Sequence, residues 1–170
     1  MIEGECLKEL FKDIVINGIP VTTHYGDQKE LNAWIASRTR TSTFPLIWCV
    51  INKITPINST QINVNSQLIL FQLSNNQMLN SERFTKNYQP YLIPLYDKVN
   101  SVLKANNFVN LKDARFGIQY IDEPNYGVQA NTVDFSSSNT TKQKSVTIQT
   151  VDARILFLNM DINPNCILIN

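Results

Sequence analysis

The stretch RTSTFPLIWCVINKI (Arg40–Ile54) holds the most apolar run in the chain: Phe44, Leu46, Ile47, Trp48, Cys49, Val50 and Ile51 stand almost without a polar break. A short apolar run of this kind reads as a strand buried on both faces. The residues that follow, Asn52, Lys53 and Thr55, offer no His, Asp, Glu or Ser placed for chemistry. A strand Phe44–Ile54 is therefore expected at the centre of a sheet, where it acts as scaffold.

Working downstream, TPINST turns the chain into a second strand, Ile62–Leu73. Ile62 and Val64 alternate with Asn63 and Asn65, so this half shows one apolar face. From Leu68 to Phe71 both faces are apolar, so the strand passes into a region covered on both sides. Upstream, SRTRTST (37–43) is loop-like. Asp27 followed by Glu30 resembles a capping box that opens a short helix through Leu31, Trp34 and Ile35. VTTHYG reads as a short extended piece. Residues 2–15 place Ile2, Cys6, Leu7, Leu10, Phe11, Ile14 and Val15 at helical spacing, and NGIP (17–20) stops that helix.

The main helix falls within residues 81–106. Leu92, Leu95, Tyr96, Val99, Val102 and Leu103 form an apolar stripe at 3.6-residue period. Pro90 and Pro94 predict a kink or restart between Gln89 and Pro94. Strands are expected at Arg115–Ile121, at Val128–Phe135 and from Ser145 to about Met160. In the last of these a change of apolar phase predicts a bulge near Gln149–Thr150. The order of helix, short helix, two strands, long helix and three strands predicts an α+β fold. Its mostly antiparallel sheet of about four to six strands packs against one long helix plus an N-terminal helix. One domain is expected over 1–170, with loop arms at 37–43 and 136–145 and a C-terminal extension at 161–170.

Fifteen Lys and Arg against fourteen Asp and Glu give a net charge of +1. That balance is not the footprint of a protein that grips nucleic acid through its phosphates. Charged residues reach only 17%, and Asn, Gln, Ser and Thr carry the polar load. Base composition of the coding DNA accounts for the Asn excess. An uncharged polar surface also suits a close-packed assembly, where every buried charge needs a partner. Cys6, Cys49 and Cys166 form no CxxC or Cys/His cluster, so no zinc site or disulfide framework is expected. Cys6 and Cys49 read as core thiols in a reducing compartment. No stretch reads as a signal peptide or a membrane span, which places the protein in the cytoplasm or in a particle assembled there.

Reactive groups are sparse. His24 is the only histidine, with Asp27 nearby in sequence. Asp122 and Glu123 precede Pro124 in a pattern that reads as a solvated turn. The five glycines are isolated, and neither GxGxxG, a P-loop nor GxSxG occurs. No catalytic residue, cofactor or metal is assigned. Arg38 and Arg40, and Lys142 and Lys144, are the basic pairs in loops: they read first as exposed loop residues, and either pair could touch nucleic acid or an acidic partner. Trp34 and Trp48 are expected to fill core. The alternative is a small cytoplasmic enzyme or adaptor, with a site near His24 that draws on Asp27 and Asp122.

FPLIWCV, a polar hairpin, LILFQL, then SERFTKNYQPYLIPLYDKVNSVLK and two or three closing strands make a familiar layout. It resembles the tail-completion and tail-terminator ring proteins at the neck of tailed bacteriophages. The likeness covers roughly Leu7 to Met160 and includes the position of Pro94 in its helix. The Asn-rich, Gly-poor composition suits a phage of the gut Bacteroides group, including the crAss-like phages. The resemblance implies a non-enzymatic virion protein at the head–tail neck or tail, with a tail-terminator-like fold. It would form a ring with copies of itself, twelve-fold in preference to six-fold. Only this resemblance would make Arg38, Arg40, Lys142 and Lys144 inter-subunit contacts. Its partners would be the portal and the adjacent ring or tail proteins. DNA would pass through without specific binding, and no membrane would be involved. The longer C-terminal region departs from a minimal family member.

Overall fold

The computed structural model describes residues 2–37, 44–112, 117–127 and 149–163. Chain order runs α1 (Ile2–Phe11), β1 (Val15–Ile16), β2 (Ile19–Pro20), β3 (Thr22–Tyr25), α2 (Gln28–Ser37), β4 (Leu46–Asn58) and β5 (Gln61–Asn75). It continues with α3 (Asn80–Arg83), a π-helical stretch Phe84–Leu92, α4 (Ile93–Ala105), β6 (Val109–Leu111), β7 (Gln119–Glu123) and β8 (Gln149–Ile162). The fold is α+β. Six strands form one sheet in the order β3-β4-β5-β8, with β6 and β7 side by side on the outer edge of β8. Every pairing in it is antiparallel except β3 with β4.

The apolar run is buried in this sheet but is not its centre: β5 is the middle strand, and β4 lies between it and the short edge strand β3. Leu46 to Val50 are buried, while β4 is exposed from Asn52 to Asn58. Ile47 and Cys49 face one core with Leu68 and Leu70 of β5, Leu156 and Leu158 of β8, Leu7 and Phe11 of α1, and Leu95, Val99 and Leu103 of α4. Leu46, Trp48 and Val50 face the other with Ile69, Phe71, Val151, Ala153 and Leu31 of α2. The first core runs the length of the sheet as far as Met160 and Ile162. The second stops short, because α2 reaches only one end. β5 is therefore covered on both faces at Leu68–Phe71 and on one at Ile62–Gln67, as its alternation predicts. Burial pushes the Cys49 thiol far up from its ordinary value.

Several local expectations change. α1 ends at Phe11, not near Val15, because Asn17 and Gly18 take positive φ of 52° and 77°. Two such residues make the tight turn of a β1–β2 hairpin. VTTHYG forms β3, paired parallel to β4 through the α2 crossover. TPINST is mostly strand: β4 continues through Pro56 to Asn58, and Ser59–Thr60 turn. Pro56 is tolerated because β4 has no described neighbour on its outer side there, so its missing N–H removes no ladder bond.

The expected break at Gln89–Pro94 is instead a π-helical segment in one long helix over residues 80–105. Pro94 cannot donate to the Pro90 carbonyl four residues back. Asn17 Nδ2 donates to that carbonyl at 2.8 Å in its place. β8 extends to Ile162 with unbroken register against β5, so the first residues of the expected extension are sheet. Cys6 is buried but disulfide-bonded, contrary to the expected core thiol. Among the described residues the bulge expected near Gln149–Thr150 does not occur: Gln149 pairs with Asn75 and Thr150 with Ser74 in the same continuous register as the rest of β8. The strand at 128–135, the loop arm at 136–145 and residues 164–170 lie outside the described residues, as does the 37–43 arm beyond Ser37.

Candidate functional site

On the face that α2 leaves open, β5, β8 and β7 lay out a grid of amides. Gln67 pairs with Phe157, which pairs with Gln119; in the next row Asn65 pairs with Asn159. Side chains at these alternate positions share one face. Asn52 joins them because the β4–β5 register shifts between Ile51 and Lys53. One residue is inserted there, and a bulge of this kind re-aims a side chain. The result is a concavity of about 310 Å³. Leu111, Gly117 and Ile118 close it along the β8 edge, beside Phe157, which is 41% exposed. No described residue of the lining carries a charge.

Two ionic arrangements hold this frame. Arg154 donates to Asp122 through Nε (2.7 Å) and Nη2 (2.8 Å), fixing β7 on β8 and hence Gln119 beside Phe157. Its guanidinium lies 4.1 Å from the centroid of the Tyr120 ring, which in turn stacks near Tyr96. Burial is the largest single influence and would lower the Arg154 pKa, but the hydrogen bonds and negative charge of Asp122, with smaller contributions from Tyr120 and Tyr88, together outweigh it and the net shift is upward. Arg83 and Asp152, 3% and 0% exposed, form the second. Arg83 donates to Asp152 Oδ1, to Ser74 Oγ (2.7 Å), to the Asn75 carbonyl (2.8 Å) and to Asn125 Oδ1 (3.0 Å). Asp152 also accepts from Asn87 Nδ2 (2.7 Å) and the Asn125 backbone N–H (3.1 Å). This network ties the long helix to β5, β8 and the turn after β7. Every oxygen of Asp152 is engaged within the protein, so the pair reads as a fastening and not as a reactive site.

The residues singled out from the sequence do not assemble. His24 packs against Trp34 and Trp48 with ring centroids 5.7 and 5.8 Å away, and the two indoles are 5.9 Å apart. Rings this close touch one another and leave no room for a ligand between them. Trp48 is buried in the second core, and Trp34 packs against it partly exposed. Asp27 caps α2 by accepting from the Glu30 backbone N–H (2.7 Å), while Glu30 accepts from the Asp27 N–H (3.0 Å). His24 and Asp122 lie on opposite edges and opposite faces of the sheet. Four strand spacings of about 4.8 Å put roughly 19 Å between them. Asp122 is engaged by Arg154 and is not in a solvated turn. Arg38, Arg40, Lys142 and Lys144 lie outside the described residues. No group of three or more His, Cys, Asp or Glu able to hold a metal occurs among the described residues. No described helix is long and apolar enough to cross a membrane.

Of the amide grid, the sequence shows Asn65 on the polar side of β5, where Asn63 beside it is instead spent on Asn159, the Met160 carbonyl and Asp161. Gln119, Phe157 and Asn159 could join it only through strand pairing across the chain. No family model matches the chain, and no curated protein matches it in sequence.

Proposed function

We propose that the chain is a structural subunit of a ring at the head–tail connector or tail of a tailed phage, part of the conduit for DNA. Beyond the likeness in element order, one observation carries this reading. β3 covers β4 only at Leu46–Cys49, so from Val50 to Asn58 the outer edge of β4 has no strand partner among the described residues. Ile54 and Ile57 stand on it 41% and 47% exposed. Pro56, Lys53 and two register shifts keep that edge from open-ended strand pairing. What remains is a contact made through side chains against a different surface of the next copy, which is the geometry of a closed ring. Near-zero net charge suits a conduit that must let DNA slide. Portal, neighbouring ring and tail proteins are the further partners, and twelve copies are favoured over six.

Light scattering and electron microscopy of the purified protein, and of particles that contain it, test this. A closed ring is expected, alone or with its partners. Ile54→Asp together with Ile57→Asp should abolish it while leaving the circular dichroism spectrum unchanged. A wild-type monomer at every concentration, absent from particles, would overturn the reading. The enzyme alternative draws no support from the separation of His24 and Asp122.

A further inference from the structure

The amide grid has no job inside the fold. Among the described residues the side-chain amides of Asn52, Asn65, Gln67 and Gln119 have no hydrogen-bond partner. Asn159 spends its Oδ1 on Asn63 Nδ2 (2.9 Å) and keeps two donors. These groups converge on one concavity at the small end of the range of ligand pockets, roughly 300–1,000 Å³. Each primary amide offers donors and an acceptor side by side.

The lining selects among ligand classes. A charged ligand would lose hydration and gain no counter-charge from the described walls. A purely apolar ligand would strip water from five amides and give nothing back. A neutral molecule with adjacent donor–acceptor groups and one apolar face satisfies both demands: hydroxyls meet the amides, and C–H groups lie against the exposed Phe157 ring. We infer that this concavity binds a neutral sugar residue, presented as a free pyranoside or at the end of a glycan. The site lies on the β8 side of the sheet and does not depend on the ring reading.

The test uses the full chain and two probes, methyl β-D-glucopyranoside and N-acetyl-D-glucosamine. Side-chain amide resonances of Asn65, Gln67, Gln119 and Asn159 are followed by NMR during titration. Saturable shifts confined to these groups are expected, with a millimolar dissociation constant for at least one probe. Asn65→Ala with Gln67→Ala should weaken binding by about tenfold or more, the effect of losing two neutral hydrogen bonds. Gln119→Ala, on a different strand, gives a second reading should the double variant misfold. Absence of saturable shifts with both probes overturns the inference. So does unaltered affinity in a folded variant, or a sugar phosphate that binds as tightly as its neutral parent.

Discussion

Truncating Asp152 to alanine should unfasten the long helix from the sheet. In the native protein this fully buried carboxylate accepts from Arg83, from Asn87 Nδ2 at 2.7 Å and from the Asn125 N–H at 3.1 Å. Alanine leaves the Arg83 guanidinium, 3% exposed, without its counter-charge. Three neutral contacts on Ser74, Asn75 and Asn125 remain to it. Removing one partner of a buried pair costs about 3–5 kcal/mol. At about 2–4 °C per kcal/mol for a chain of this size, the melting temperature should fall by roughly 6–20 °C. The assay is urea unfolding with linear extrapolation, and the slope should stay near the wild-type value. Replacing both partners, Asp152→Leu with Arg83→Met, should cost less than the sum of the single changes, because no lone charge is left buried. A loss below about 1 kcal/mol for Asp152→Ala, or strict additivity in the double variant, would refute the reasoning.

Two further changes probe the periphery. Asn17→Ala should destabilise by about 2 kcal/mol, combining a left-handed backbone cost with loss of the bond to the Pro90 carbonyl. Asn17→Gly should recover the backbone part alone, and a wild-type urea midpoint for the glycine variant would show that the bond contributes nothing. Asp161 sets up a pH dependence. Burial opposes its charge, but the Asn63 amide and the Lys112 ammonium (3.0 Å) hold its carboxyl below the ordinary range. A carboxyl lowered on folding contributes stability that is full above the unfolded value, about 3.9, and is lost as pH falls through the folded one. Urea midpoints of Asp161→Asn should therefore decline less steeply below about pH 4 than those of wild type, and parallel declines would count against the assignment.

How far the sequence carried the fold can be read in single elements. β5 was legible in detail, because Ile62–Asn65 alternates and Leu68–Phe71 does not, and each half packs accordingly. The α2 start was legible because a capping box is local. β3 pairing parallel to β4 was not, since a four-residue edge strand takes its partner from the α2 crossover and not from its own pattern. The π-helical stretch was hidden for a related reason. Pro90 and Pro94 announce missing donors, but Asn17, which compensates for one of them, is distant in sequence. Arg83 and Asp152 look like surface residues until the helix is laid across β8. The amide grid follows the same logic: two of its five amides, Asn65 and Gln67, lie on β5, and the rest depends on which strands become neighbours.

The pairing of β5 with β8 joins residues 62–75 to residues 149–162. During synthesis β4 and β5 leave the ribosome long before the strand that will sit beside them. Until then the Leu68–Phe71 segment presents an open backbone edge and greasy flanks to its surroundings. Such a surface invites capture by other chains or by chaperones. The strand that closes it emerges some seventy residues after β5, so a chain truncated before Gln149 lacks the strand against which β5, β6 and β7 all pair.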